Sequence, residues 1–241
     1  MFAHPLRTPD TRPLGVVIAL PVEAKTFARA AGPHVDVAIV GPGPARAAAG
    51  TRALIGRGVG ALLSWGTSGA LTGDLAAGQL LLGDAVRDTH GNEFASDAAW
   101  LTLAARTLAP LAPRHVRCLT VTHPASDRQT KQALAADTGC AAVDMEAAAV
   151  AAGAASAGLP FLAIRSIVDP VDCDLPRCVM AGLDAEGRTH VLRLLVALAR
   201  RPWEIAALLR LAGHFNASLR ALRDAARLLA SSVPLTQTVS R

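Results

Sequence analysis

Two acidic residues, each following a short apolar run, constrain this chain most. Residues 140–143 lead into Asp144-Met145-Glu146, and residues 160–168 lead into Asp169, with an Ala-rich stretch of helix length between them. Read as strand, helix and strand, the unit is a parallel crossover, whose carboxyl edge is where α/β proteins bind ligands. Glu146 and Asp169 are then two carboxylates at one edge, which points to a site. Residues 147–164 carry no charge, but Gly153, Ser156, Gly158 and Pro160 interrupt them. Their hydrophobicity is mostly alanine, so they read as a buried helix and strand and not as a membrane span.

The same alternation runs through most of the chain. Apolar runs predict strands near 14–20, 35–40, 59–65, 79–86, 115–121, 140–143 and 160–168. Helical periods fit near 22–31, 45–57, 97–108, 128–137 and 146–157. Alternating strands and helices are the mark of an α/β fold, and 241 residues suffice for one domain with a substantial core. After residue 184 the pattern is helical only, with breaks at Pro202 and near Gly213. The expected organisation is a disordered N-terminus over 1–12, an α/β domain over 13–200, an amphipathic helical extension over 201–230 and a disordered tail over 231–241.

Charge placement says more than the net +5. Residues 185–241 hold nine Arg against Glu186, Glu204 and Asp224, so the basic excess sits in the tail and the body is close to neutral. A near-neutral body argues against a nucleic-acid groove, and a basic amphipathic end suits an anionic membrane surface or a partner helix. Cys118, Cys140, Cys173 and Cys178 are scattered without metal-ligand spacing, and the Pro-rich, charged N-terminus reads as no secretory signal. Reduced thiols, a cytoplasmic location and no metal are the expectation.

Several motifs, in order, resemble the purine and uridine phosphorylase family, within it the branch of methylthioadenosine and adenosylhomocysteine nucleosidases. They are residues 14–23 as first strand and acidic loop, the Gly66-Thr67-Ser68-Gly69 turn, Met145-Glu146-Ala147, and Arg165 to Asp169. Leu175-Pro176 and the Arg-Pro-Trp-Glu segment from Arg201 are similar to the hopanoid-associated phosphorylases. The resemblance implies a central mixed, mostly parallel twisted sheet flanked by helices, an enzyme acting on nucleosides without a cofactor, and a homodimer or higher homo-oligomer. It also implies adenosylhopane, an adenosine joined to a bacterial triterpenoid, as the substrate.

Cleaving a purine N-glycosidic bond develops positive charge on the ribose and negative charge on the base. Glu146 suits the sugar side, since its two oxygens match the 2′- and 3′-hydroxyls of a ribose. Asp169 suits the base: burial at the end of an apolar strand raises its pKa and lets it give a proton to purine N7. By resemblance, Met145 packs on the sugar, and Glu23 orients an attacking water with the hydroxyl of Thr67 in the Gly66 turn. Arg165 holds water or an anion. Phosphate as co-substrate remains the alternative, with Gly43, Arg46 and Ser68 as its candidate donors. His90 and His123 read as loop residues and Trp65 as core; no residue is identified to stack on the base.

After Pro202, apolar residues recur at Ile205, Leu208, Leu209, Ala212, Phe215, Leu219, Leu222, Ala226 and Leu229, with Arg220, Arg223 and Arg227 on another face. This stripe packs on the domain or a partner, or docks peripherally on the inner membrane face. The reading is N-glycosidic cleavage of adenosylhopane to adenine and ribosyl- or phosphoribosyl-hopane. The rivals are a soluble methylthioadenosine/adenosylhomocysteine nucleosidase and a non-catalytic nucleoside or lipid carrier.

Overall fold

Eight strands alternate with helices along most of the chain. The computed structural model describes residues 4–6, 8, 12–174 and 200–231. The expected disorder at 1–12 lies partly outside these residues. The expected tail at 231–241 lies outside them except for Ser231, and so do Leu175, Pro176, Cys178 and the helical pattern at 185–199.

The elements in order are β1 (Leu14–Ile18), α1 (Pro21–Phe27), β2 (Val35–Ile39), α2 (Pro44–Gly56), β3 (Ala61–Ala70), β4 (Leu80–Asp88) and β5 (Glu93–Ala95). There follow α3 (Ala98–Leu108), β6 (Arg114–Thr120), α4 (Arg128–Thr138), β7 (Ala142–Asp144), α5 (Ala147–Ser156), β8 (Phe161–Asp169) and α6 (Ile205–Ser231). Every expected strand and helix in the described part of the α/β region forms. The three-residue β5 carries no periodic signal and was not anticipated. No break occurs at Gly213, where α6 continues without interruption.

The sheet is mixed and mostly parallel, in the order β2-β1-β3-β7-β6-β4-β5, and β8 pairs with both β3 and β4. Strands β3, β7, β6, β4 and β8 therefore close into a ring, with β1 and β2 extending from β3 and β5 from β4. One expectation is corrected here. Strand β7 runs antiparallel to β3, whereas β8 runs parallel to it, so β7, α5 and β8 do not form a parallel crossover.

Their two acids still meet because β7 is only three residues long. Val143 lies opposite Gly69, and Asp169 lies opposite the same Gly69 on the other side of β3. At about 3.3 Å per residue, Asp144 and Glu146 advance only a short way before the chain turns into α5. The register between β3 and β8 also slips, from Ser68 opposite Ile167 to Gly69 opposite Asp169. Such a bulge re-aims side chains, and the neighbours Val168 and Asp169 both face one cavity.

Apolar packing holds α6 onto this frame. Leu222, Ala225, Ala226 and Leu229 are buried in the same core as Leu14, Val16, Leu63 and Trp65. Ser218 Oγ donates to the Ser166 carbonyl of β8 at 3.1 Å. The second half of the amphipathic stripe is thus internal, while Arg220, Arg223 and Arg227 stay on the solvent side. Leu222→Ala should cost about 2–5 kcal/mol of unfolding free energy, the usual range for emptying a fully buried leucine site. Urea denaturation measures it, and a cost near zero would show that α6 is dispensable to the core.

Candidate active site

At the β3, β7 and β8 ends a cavity of about 510 Å³ opens, lined by Glu23, Thr67, Ser68, Met145, Glu146 and Asp169 among other residues. The Pro21 start of α1 brings Glu23 there. Its carboxylate accepts the Leu20 N–H at 3.1 Å through Oε2, and both the N–H and the hydroxyl of Thr67 at 2.8 Å through Oε1. Helix α1 is itself pinned to β3, since Trp65 Nε1 donates to Thr26 Oγ1, which donates to the Glu23 carbonyl. Trp65 is core, as expected, with Phe27 packed edge-on at 5.0 Å.

Gly66 lines no part of the cavity, but its missing side chain makes the arrangement fit. A Cβ there would sit 3.1 Å from Arg165 Nη1 and 3.1 Å from both Glu23 oxygens. Arg165 lies just behind the wall, 2% exposed. Its Nε donates to Asp144 Oδ2 at 2.9 Å and its Nη2 to Ser64 Oγ at 2.7 Å.

Sequence reasoning missed Asp144. Its Oδ1 accepts from the backbone N–H groups of Glu146 and Ala147, both at 3.2 Å, and from Thr120 Oγ1 at 2.6 Å. Asp144 thereby caps α5, which leaves the Glu146 side chain free of that duty. Glu146 Oε1 instead accepts the Gly43 N–H at 2.9 Å. The backbone presenting that N–H has φ of 106°, which suits glycine. Burial and the neighbouring Asp144 push the Glu146 carboxyl up to about 7, against the pull of Arg165 and the Gly43 N–H.

Asp169 is buried, and burial raises its carboxyl above the usual range although Lys131 opposes the shift. Its Oδ2 meets Lys131 Nζ at 2.8 Å, while Oδ1 is buried with no hydrogen-bond partner. Ser68 Oγ is likewise buried without a partner. Both residues line the cavity, so two polar groups there await a ligand.

The structure does not gather the expected phosphate donors. Gly43 and Arg46 lie off the cavity lining, the Gly43 N–H is taken by Glu146, and the Arg46 side chain packs over Gly41. Among the described residues the lining contains no Arg, Lys or His. His90 and His123 are exposed loop residues that do not line it, although His123 sits between the lining residues Val121 and Pro124. The remaining wall is apolar: Val121, Pro124 and Ala125 on one side, and Leu208, Leu211, Ala212 and Phe215 of α6 on another. The stripe on α6 was legible in sequence, but its place over the site was not. Cys118, Cys140 and Cys173 are free and buried, and among the described residues no group of three or more His, Cys, Asp or Glu could hold a metal.

The Phosphorylase superfamily model matches residues 19–190. The chain belongs to the Phosphorylase superfamily. It is an enzyme of nucleoside N-glycosidic bond cleavage, the class to which this superfamily belongs. The fold is similar to that of futalosine hydrolase of Helicobacter pylori, with TM-score 0.70 and 15% identity over 91% of this chain and 97% of that one. It is also similar to the H. pylori 5′-methylthioadenosine/S-adenosylhomocysteine nucleosidase, with TM-score 0.64 and 15% identity over 89% and 97%. A nucleosidase of that kind from Colwellia psychrerythraea, in complex with adenine, gives TM-score 0.61 and 20% identity over 78% and 96%. No curated protein matches the sequence.

The raised Glu146 carboxyl gives this superfamily member a testable pH dependence. The folded state holds its proton more tightly than the unfolded chain, whose glutamate titrates near 4.5. The contribution of Glu146 to stability is therefore full below about 4.5 and is lost as pH rises toward about 7, where the folded carboxyl ionises. Glu146→Gln removes this proton, so wild type should lose stability relative to the variant across that window. Urea melts at several pH values measure the difference; a gap that is flat or opposite in sign would show that the carboxyl is not raised.

Proposed function

We propose that this enzyme hydrolyses the N-glycosidic bond of an adenosine-type nucleoside bearing a large apolar 5′ group, with adenosylhopane as the substrate, to give adenine and ribosylhopane. The division of the cavity supports this reading: four acidic residues at one part, Glu23, Asp144, Glu146 and Asp169, and the apolar face of α6 at another. A nucleoside fits the acidic part, and a hydrocarbon fits against α6.

The roles follow from charge and hydrogen-bond capacity. Glu146, ionised, accepts the ribose hydroxyls and favours the positive charge that grows on the sugar. Met145 packs beside it. Asp169, whose proton is held more tightly through burial, gives that proton to the base, and Ser68 offers a second polar contact nearby. Glu23 and Thr67, already hydrogen-bonded together, orient a water for attack on C1′. Arg165 acts from behind the wall by holding Asp144, and Gly66 lets Glu23 and Arg165 approach. Phe215 is the aromatic side chain on the wall suited to stack on the base or the lipid.

Water is favoured over phosphate because the anionic Glu23 occupies the nucleophile end and would repel phosphate. Gly43, Arg46 and Ser68 as phosphate donors belong to the alternative. A soluble nucleosidase for methylthioadenosine or adenosylhomocysteine is the second reading, favoured by the fold neighbours; it leaves the size of the apolar wall without a use. The carrier reading gives no role to a buried acid at the base.

Incubation with adenosylhopane, with and without phosphate, and mass analysis of the products tests the reading. Adenine should appear without phosphate, and Glu23→Ala should lower that rate roughly 10²-fold or more, as for loss of a positioned catalytic group. Strict dependence on phosphate with a phosphorylated ribose product would decide for a phosphorylase. Methylthioadenosine turnover alone would return the enzyme to the soluble class.

The first turns of α6 suggest how a lipid substrate is reached. Trp203, Ile205 and Leu209 are exposed large apolar residues beside the Leu208 and Leu211 wall, with Arg200 and Arg210 also exposed. We read this tip as a peripheral contact with an anionic membrane surface. Among the described residues no helix is long and apolar enough to cross a membrane. Trp203→Glu with Leu209→Glu should reduce binding to anionic liposomes and turnover of adenosylhopane at least about tenfold, in line with the area lost, while sparing a water-soluble nucleoside. Equal loss on both substrates would assign the tip to folding or assembly. A homo-oligomer remains part of this proposal, measurable by light scattering.

A further inference from the structure

Lys131 is the one buried residue of α4, and it is fully buried, 0% exposed. Its helix opens at Asp127, whose carboxylate caps the Thr130 N–H at 2.8 Å, in a stretch of otherwise polar and mostly exposed residues. An ammonium has three N–H donors. Here they meet Asp169 Oδ2 at 2.8 Å, the Pro170 carbonyl at 2.9 Å and the Cys173 carbonyl at 2.8 Å. Burying an ammonium so completely is costly, and a buried ion pair is a poor device for stability. The placement is better explained by what it does to Asp169.

With Oδ2 committed to Lys131, one oxygen of Asp169 is left. Oδ1 is buried, has no partner, and belongs to a residue on the cavity wall. A proton on this carboxyl avoids the oxygen that faces a cation and resides on Oδ1, the oxygen left for a base. We propose that Lys131 is a positioning residue for departure of the base: it fixes the Asp169 carboxyl through Oδ2, directs the proton to Oδ1, and compensates the carboxylate that forms when the proton leaves. This deepens the reading of Asp169 as proton donor and rests on it.

The step balances as follows. The O–H bond at Asp169 Oδ1 breaks as the N7–H bond forms, and the C1′–N9 bond breaks with its electron pair passing into the purine. Water adds to C1′, its proton passing to the Glu23 carboxylate. Asp169 is left as a carboxylate paired with the Lys131 ammonium, and exchange with solvent restores both acids. Before transfer the ammonium has no anion at Oδ2; afterwards it has one. Its attraction therefore grows along the reaction, the condition for an interaction to speed a step and not merely to tighten binding.

Other groups also act on Asp169. His214 of α6 favours the carboxylate and Asp174, after β8, disfavours it. Cys173, Asp172 and Arg210 stand beside them. Lys131 is the one of these whose charged group lies within 2.8 Å of an Asp169 side-chain oxygen.

Lys131→Met and Lys131→Gln are the test, the second keeping a neutral donor toward Asp169, with circular dichroism confirming that each is folded. Activity falls on the alkaline side as Asp169 loses its proton, so removing the cation should move that limb of the pH profile up by about one unit or more, the usual scale for a close opposite charge. Release of adenine at the optimum should fall roughly 10²-fold, as for loss of a charge-stabilising group. Release of nitrophenolate from a riboside with the same 5′ group, which departs without protonation, should stay within about threefold of wild type.

Equal losses on both substrates, or an unmoved alkaline limb, would overturn the proposal and leave Lys131 a structural tie. Asp169→Asn, assayed in parallel, separates the two levels. If it still releases adenine at the wild-type rate, the donor reading itself fails. If it is inactive on adenine and active on the nitrophenyl riboside while both Lys131 variants match wild type, only the Lys131 proposal fails. Should both Lys131 variants fail to fold, neutron crystallography of the deuterated wild-type enzyme decides. A deuteron on Oδ1 with none on Oδ2 supports the proposal, and a deuteron on Oδ2 overturns it.

Discussion

One buried guanidinium holds the acidic end of this enzyme together. Arg165 is bound to Asp144 and Ser64, and its charge acts on Glu146 and Glu23 as well. Three carboxylates gathered in a dry place would repel one another by several kcal/mol at an effective dielectric near 20, and each would tend to take up a proton. A single fixed cation among them relieves much of this. Arg165 cannot lose its charge, so the relief persists at every pH at which the fold survives. The relief is unequal: Asp144 receives the ion pair, and Glu146, farther along the same turn, is left with a raised carboxyl.

The order of contacts explains why each acid serves a different end. Asp144 spends its oxygens on Arg165, on the cap of α5 and on Thr120. Glu23 spends its own on Leu20 and Thr67. Glu146 gives one oxygen to Gly43 and keeps the rest for a ligand, and Asp169 keeps Oδ1. Unspent hydrogen-bond capacity in a buried place marks where a substrate is to bind. Here it falls on the two residues to which the proposed reaction assigns the sugar and the base.

Much of this was legible in the chain. The strands and helices follow from periodicity, since short apolar runs bounded by turn residues and alternating with helical periods admit few other readings. Glu146 and Asp169 stand out because each follows an apolar strand, Glu23 and Thr67 through the family resemblance, and the cavity brings all four together. Strand direction was not legible. A three-residue strand such as β7 carries no signal of whether its neighbour runs with or against it, and that depends on β3 and β8 closing the ring. Asp144 was hidden in the run before Glu146, because an acid at a strand end looks alike whether it faces solvent or a buried arginine. Lys131 was hidden by its polar surroundings, where one lysine reads as part of a solvated helix face. The slip at Val168 leaves no trace in composition.

Helix α6 joins stability to access. Its second half supplies Leu222, Ala225, Ala226 and Leu229 to the core, and its first half supplies Leu208, Leu211, Ala212 and Phe215 to the cavity. A single helix therefore anchors itself at one end and covers the site at the other. The anchored end fixes the rotation of the helix, and with a period of 3.6 residues that rotation decides which side chains face the cavity four turns away. Leu208 and Leu209 show the consequence: adjacent in sequence, one faces the site and the other is 68% exposed. The substrate thus meets a wall whose composition can change at Leu208, Leu211 or Phe215 without touching Glu146 or Asp169. In the proposed function, bond cleavage falls to the sheet ends and the choice of what hangs from the sugar falls to the helix.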